Sequence, residues 1–166
     1  MATRLNCCNE GCYLDRAPER LVLQGYRQWM GGYDTACVAC WERASDLYVN
    51  ELGARAAGPI VLALGQWVRM LRHLARRHLN AFPGATHRLC RDECLVMALI
   101  AACQHSDEGS YSRVIKEIVH DQSDRRLLST AKLFADALNE CGLRMLPIPL
   151  NVIEDILTQP ERETYY

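Results

Sequence analysis

The chain has 166 residues, 49% of them hydrophobic and 23% charged, with a formal net charge of −1. That length suffices to bury ~70% of the unfolded surface without disulfides or metal to hold the fold, and the composition excludes an intrinsically disordered chain. A charge so near neutral gives no overall drive toward nucleic acid or an anionic membrane.

All but two of the nineteen basic residues are arginine. The skew fits bidentate anion binding and fits codon bias equally well, and codon bias is the reading preferred. The opening MATRLNCCNEGCYLDRAPER lacks the apolar segment of a secretory signal. The longest apolar run, residues 95–103, falls well short of the ~20 residues that span a bilayer. The expectation is a cytoplasmic protein without membrane contact. In that compartment most of the nine cysteines would be free thiols or ligands rather than disulfides.

The pattern is helical nearly throughout. An irregular cysteine-bearing arm, residues 1–15, precedes a first helix over 16–30, which Gly31-Gly32 is expected to stop. Asp34 or Thr35 then caps a second helix to about residue 57. Its stripe of Cys37, Cys40, Trp41, Ala44, Leu47, Tyr48 and Leu52 has the spacing of one buried face. Gly58-Pro59 opens a third helix, with Ile60, Leu64, Trp67, Val68, Leu71, Leu74, Ala75 and His78 on its apolar side. It runs to about residue 80, with Arg69, Arg72, His73 and Arg76 on the opposite side. A fourth helix, about 86–105, is apolar on nearly every side between Cys94 and Cys103, the mark of a central helix. A shorter fifth helix covers about 110–120, and Ser123 or Asp124 opens a sixth that ends at Gly142. The tail, 143–166, resists helix at Pro147-Ile-Pro and ends in a short helix around 151–158. The whole reads as an all-α, single-domain bundle of six to seven helices with short loops and no strand.

The cysteines divide into three groups. Cys37 and Cys40 form a CxxC, the spacing of zinc sites and of thioredoxin-like redox pairs. No preceding strand and no facing ligand pair accompany them, and both fall on an apolar stripe. They are therefore assigned to the core, although a place near a helix start leaves a lowered thiol pKa open. In LCRDECLVMALIAACQH, residues 89–105, Cys90 and Cys94 share a face one turn apart while Cys103 points away. Cys94 and His105 stand about 16 Å apart along the axis and would not bind one metal. Cys90 lies in the first turn beside Arg88 and Arg91, a setting expected to favour a thiolate. Cys7, Cys8 and Cys12 lie in a polar segment with no burial pattern to account for them. They begin a thiolate metal site, for which Cys90 and Cys94 are the nearest donors, or they are incidental thiols of a loose arm.

Other constellations are weak. Glu117-Ile-Val-His120 matches one half of a di-iron carboxylate motif whose other half is missing from the sequence. No GxSxG, P-loop or dinucleotide glycine motif occurs. Residues 52–91 contain no acid and seven arginines. Arg69, Arg72, Arg76 and Arg77 are the candidate anion- or partner-binding set, and an acidic protein is the partner that suits them. Nucleic acid is disfavoured, because no aromatic interleaving or groove-reading module accompanies the patch. The alternative is a solvated face neutralised by acids of neighbouring helices, including Glu154, Asp155, Glu161 and Glu163 of the tail.

Two function classes follow. The first is a non-enzymatic protein that acts by protein–protein interaction or regulation. The second is a thiolate site for zinc or an iron–sulfur cluster, or a thiol redox sensor, built on Cys7, Cys8 and Cys12 with Cys90 or Cys94.

Overall fold

The computed structural model of the chain describes residues 13–84, 86–121 and 125–159. After a 3-10 turn, Tyr13–Asp15, seven α-helices follow: α1 Ala17–Thr35, α2 Val38–Leu52, α3 Ala54–Leu74, α4 Arg91–His105, α5 Glu108–Ile118, α6 Arg125–Glu140 and α7 Leu150–Thr158. The fold is an all-α helical bundle, with no strand among the described residues. None of its helices is long and apolar enough to cross a membrane.

The centre is α4. Every residue from Leu95 to Ala102 is buried, as the all-round apolar pattern predicts, because α1, α5, α6 and α7 all pack against it. Helices α1, α2 and α3 form an antiparallel run, and α6 closes on α3 through Trp67 stacked against Phe134, with ring centroids 5.3 Å apart. The stripes of α3 and α6 are buried as expected, from Ile60 to Leu71 and from Leu127 to Leu138.

Several helix boundaries differ from the sequence reading. Helix α1 does not stop at Gly31-Gly32 but continues to Thr35. Gly32 lies directly under the Trp41 indole, where a β-carbon would have no room. The glycine is there for close approach of α2 rather than to end a helix. Ala36 takes the left-handed conformation instead, at φ 53°. Consequently α2 begins at Val38 with Cys37 as its N-cap, two or three residues later than expected. It ends at Leu52, and Gly53, with φ 82°, turns the chain directly into α3. Pro59 therefore sits inside α3 rather than opening it, on its exposed side.

Helix α3 ends at Leu74, not near residue 80. The Arg76 N–H bonds the Ile118 carbonyl at 2.9 Å, within an isolated antiparallel bridge between Ala75 and Val119. That pairing takes the chain out of the helix, so the 3.6-residue period no longer applies to His78, which is exposed rather than part of the stripe.

Helix α4 starts at Arg91 rather than near residue 86, because Cys90 and Glu93 close a capping box there, with the Cys90 N–H 2.9 Å from Glu93 Oε2. The preceding connection is irregular and clamped by buried charge. Arg27 and Glu93, both buried, pair through two bonds of 2.7 and 3.1 Å. Arg27 also donates to the carbonyls of Gly84, Thr86 and Arg88. Glu93 accepts from the Phe82 N–H, and buried Asp92 accepts from the Asn80 N–H and from Arg77. The segment after α6 is held likewise. Buried Gln104 bonds Leu143 and Met145, and buried Glu19 accepts from the Leu146 N–H.

Candidate functional site

Two features at one end of the α1–α3 run carry chemistry: a hollow lined by two arginines and a histidine, and the paired cysteines at the start of α2. The hollow has a volume of about 320 Å³ and is lined by Arg72, Ala75, Arg77, His78 and Leu79. It forms because α3 ends at Leu74, leaving the departing chain to fold its arginines and histidine around the last turn. Arg72 donates to Asp34 at 2.8 Å and lies over the Tyr33 ring, 4.8 Å from its centroid. His78 Nε2 stands 3.6 Å from the other oxygen of Asp34. Arg77 grips Asp92 with both terminal nitrogens.

Of the four arginines singled out from the sequence, Arg72 and Arg77 thus meet at one hollow. Arg76 is directed elsewhere, donating to the carbonyls of Lys116 and Val119. Arg69 is exposed on the outer face of α3. The acidic tail does not reach this surface where it is described: Glu154 pairs with Arg113 at 2.7 Å, and the Leu157 carbonyl accepts from Arg91. Glu161 and Glu163 lie outside the described residues.

Cys7, Cys8 and Cys12 also lie outside them. Cys90 and Cys94 stand one turn apart at the start of α4, as expected, with the Cys94 N–H bonded to the Cys90 carbonyl. The thiolate expected at Cys90 is corrected. Burial and the adjacent Glu93 and Asp92 push its thiol up to about 12, outweighing the helix-terminal N–H groups. The Cys90 thiol faces the Asn80 carbonyl at 3.5 Å. Burial likewise pushes Cys103 up to about 12. Among the described residues no three His, Cys, Asp or Glu side chains are placed to hold a metal. Glu117 of the ExxH is drawn into ion pairs with Arg91 and Arg113.

Cys37 and Cys40 are not core residues: each is only partly buried, whereas the fully buried side of α2 is Ala44 and Tyr48. The Cys37 sulfur sits at the open end of the helix. The Cys40 N–H bonds the Cys37 carbonyl at 3.1 Å, and the Cys37 sulfur makes no capping hydrogen bond, but it lies near the Cys40 and Ala39 N–H groups and the Cys40 thiol. These groups, with a smaller effect from Arg43, hold the Cys37 thiol below its ordinary value of 9.0. Arg43 also places a guanidinium nitrogen 2.9 Å from Cys40 Sγ while holding Gln28 at 3.2 Å. Behind the pair, Trp41 stacks on Trp29 at 5.4 Å and meets the edge of Tyr33 at 5.3 Å. Its indole N–H bonds the Trp29 carbonyl.

Sequence reasoning missed the Arg27–Glu93 clamp, whose only trace is an acidic pair in the first turn of an otherwise apolar helix. It also missed His78 as a lining residue, because the helix was extended through it. No protein-family model, curated protein or solved structure matches this chain.

Proposed function

We propose that the protein is a regulatory, non-enzymatic binding protein that takes an acidic segment of another protein at the hollow beside α3. The observation that carries this reading is the convergence of Arg72, Arg77 and His78 on one open hollow. Asp34 and Asp92 already fix the two guanidinium groups, so little side-chain entropy remains to be lost when a carboxylate binds. Among the described residues Arg72 bonds only Asp34, which leaves most of its five N–H groups for a ligand. The surrounding stretch, residues 52–91, adds positive charge with no acid of its own.

A fluorescent poly-glutamate peptide is the probe. Binding followed by anisotropy should weaken as salt rises from low ionic strength to about 0.15 M, where the Debye length is about 8 Å. Arg72→Gln combined with His78→Gln should weaken it by about tenfold or more, equivalent to ~1.4 kcal/mol. Equal affinity in the double variant, or no binding by the wild type at low salt, would remove the reading. Arg77 is left intact in this test because it neutralises the buried Asp92.

A further inference from the structure

We propose that Cys37 and Cys40 are a redox-active dithiol that exchanges with small-molecule disulfides, with Cys37 attacking and Cys40 resolving. This goes beyond the binding reading above and stands independently of it.

Geometry carries the inference. The Cys40 N–H to Cys37 carbonyl bond closes a turn across the four residues Cys37 to Cys40. Such a turn brings its end α-carbons within about 7 Å, and a disulfide spans no more than about that. Cys37 is extended, at φ −102° and ψ 104°, outside the helix, so its side chain is free of helical rotamer restraint. Its neighbours Ala36, Val38 and Ala39 are all exposed, and Val38 retains 60% of its surface. A disulfide therefore has an open line of approach to the Cys37 sulfur. As the N-cap of α2, Cys37 places its sulfur at the positive end of the helix dipole, which favours the thiolate. Cys40, one turn deeper and held at Sγ by Arg43, is placed for the second step.

The exchange balances without any other reactant. The Cys37 thiolate attacks one sulfur of RS–SR, forming a Cys37–SR mixed disulfide and releasing RS⁻. Cys40 then loses its proton to solvent and attacks the Cys37 sulfur, forming the Cys37–Cys40 bond and releasing the second RS⁻. Two protein thiols are oxidised by two electrons, and one disulfide is reduced to two thiols, whose sulfurs take up the protons at neutral pH.

The sequence makes the test specific. Trypsin cleaves after Arg27 and Arg43, so both cysteines fall on one peptide, residues 28–43, that contains no other. The full-length protein is equilibrated in mixtures of reduced and oxidised glutathione, quenched with an alkylating agent and mapped by mass spectrometry. In the wild type the peptide should take two alkyl groups in reducing mixtures. In oxidising ones it should take none and be lighter by two hydrogens than the dithiol. Cys40→Ser should retain one glutathione on Cys37, and Cys37→Ser should acquire glutathione at Cys40 at least about tenfold more slowly. Both substitutions lie on partly exposed positions, and far-UV circular dichroism checks that the helices persist. A peptide that stays doubly alkylatable in the oxidising mixtures overturns the proposal. So does a Cys40→Ser protein without mixed disulfide, or equal rates in the two variants. The Arg72→Gln, His78→Gln variant should oxidise like the wild type, so failure of the binding reading leaves this one standing.

Discussion

Arg27→Ala should remove a large part of the stability of the whole fold, although the residue touches neither candidate site. Its side chain retains 1% of its surface and that of Glu93 none. Taking away the guanidinium strands a buried carboxylate, which costs about 3–5 kcal/mol. The carbonyls of Gly84, Thr86 and Arg88 lose their donor as well. They lie nearer the surface, so water recovers most of the ~0.5–1.5 kcal/mol that each such bond contributes. Against a total of about 5–15 kcal/mol for a domain, the variant would remain folded but fragile. Urea unfolding followed by circular dichroism measures the loss. The companion experiment is a cycle of Arg27→Met and Glu93→Leu, each alone and both together. Because the double variant buries no charge at this position, it should cost less than the sum of the two single changes by about 2–3 kcal/mol. Hydrogen exchange in Arg27→Ala should accelerate first in residues 80–90, whose backbone the pair clamps. A loss below about 1 kcal/mol, or single effects that simply add, would mean that the pair does not hold the connection.

Gly32→Ala should lower stability by about 1–3 kcal/mol despite alanine's better helix propensity, because the β-carbon meets the Trp41 ring. Gly58→Ala, in open space on α3, should instead stabilise by about 0.4–1 kcal/mol. Thermal unfolding of both variants decides this, and stabilisation by both would contradict the close approach of α2 to α1. Cys103, with its thiol raised from 9.0 to about 12, keeps its proton when folded at pH values where the unfolded chain loses it. Its contribution to stability is therefore full below pH 9.0 and is lost as pH rises toward about 12. Cys103→Ala should accordingly lose less stability than the wild type between about pH 8 and pH 10 in urea titrations. Identical losses would refute the buried setting of that thiol.

Helix number, the central place of α4 and the stripes of α3 and α6 were legible in the sequence because each is a local periodicity. The boundaries misplaced at the two candidate sites are those decided by contacts between distant residues. Residues 31–32 look like a helix stop, and nothing nearby announces that Trp41 will lie on Gly32. Residues 75–80 continue an apolar period, and only Val119, far along the chain, takes Ala75 out of the helix.

Both errors fell on the candidate sites, and for one physical reason. A helical side chain's environment depends on its phase and on its distance from the helix end, so a shift of a few residues at a boundary exchanges core for cap. With α2 begun at Asp34 or Thr35, Cys37 is an interior residue on an apolar stripe. With α2 begun at Val38, the same residue is the N-cap, its sulfur at the positive end of the helix dipole. With α3 ended at residue 80, His78 is a core histidine. With α3 ended at Leu74, it lines a hollow with Arg72 and Arg77. The two features share the last turn of α1. Gly32 supplies the carbonyl that the Cys37 N–H bonds at 3.1 Å, and Tyr33 and Asp34 supply the ring and the carboxylate that hold Arg72. Gly32 is what lets Trp41 pack directly on the last turn of α1, the turn whose carbonyl the Cys37 N–H bonds and whose Asp34 meets Arg72 of α3.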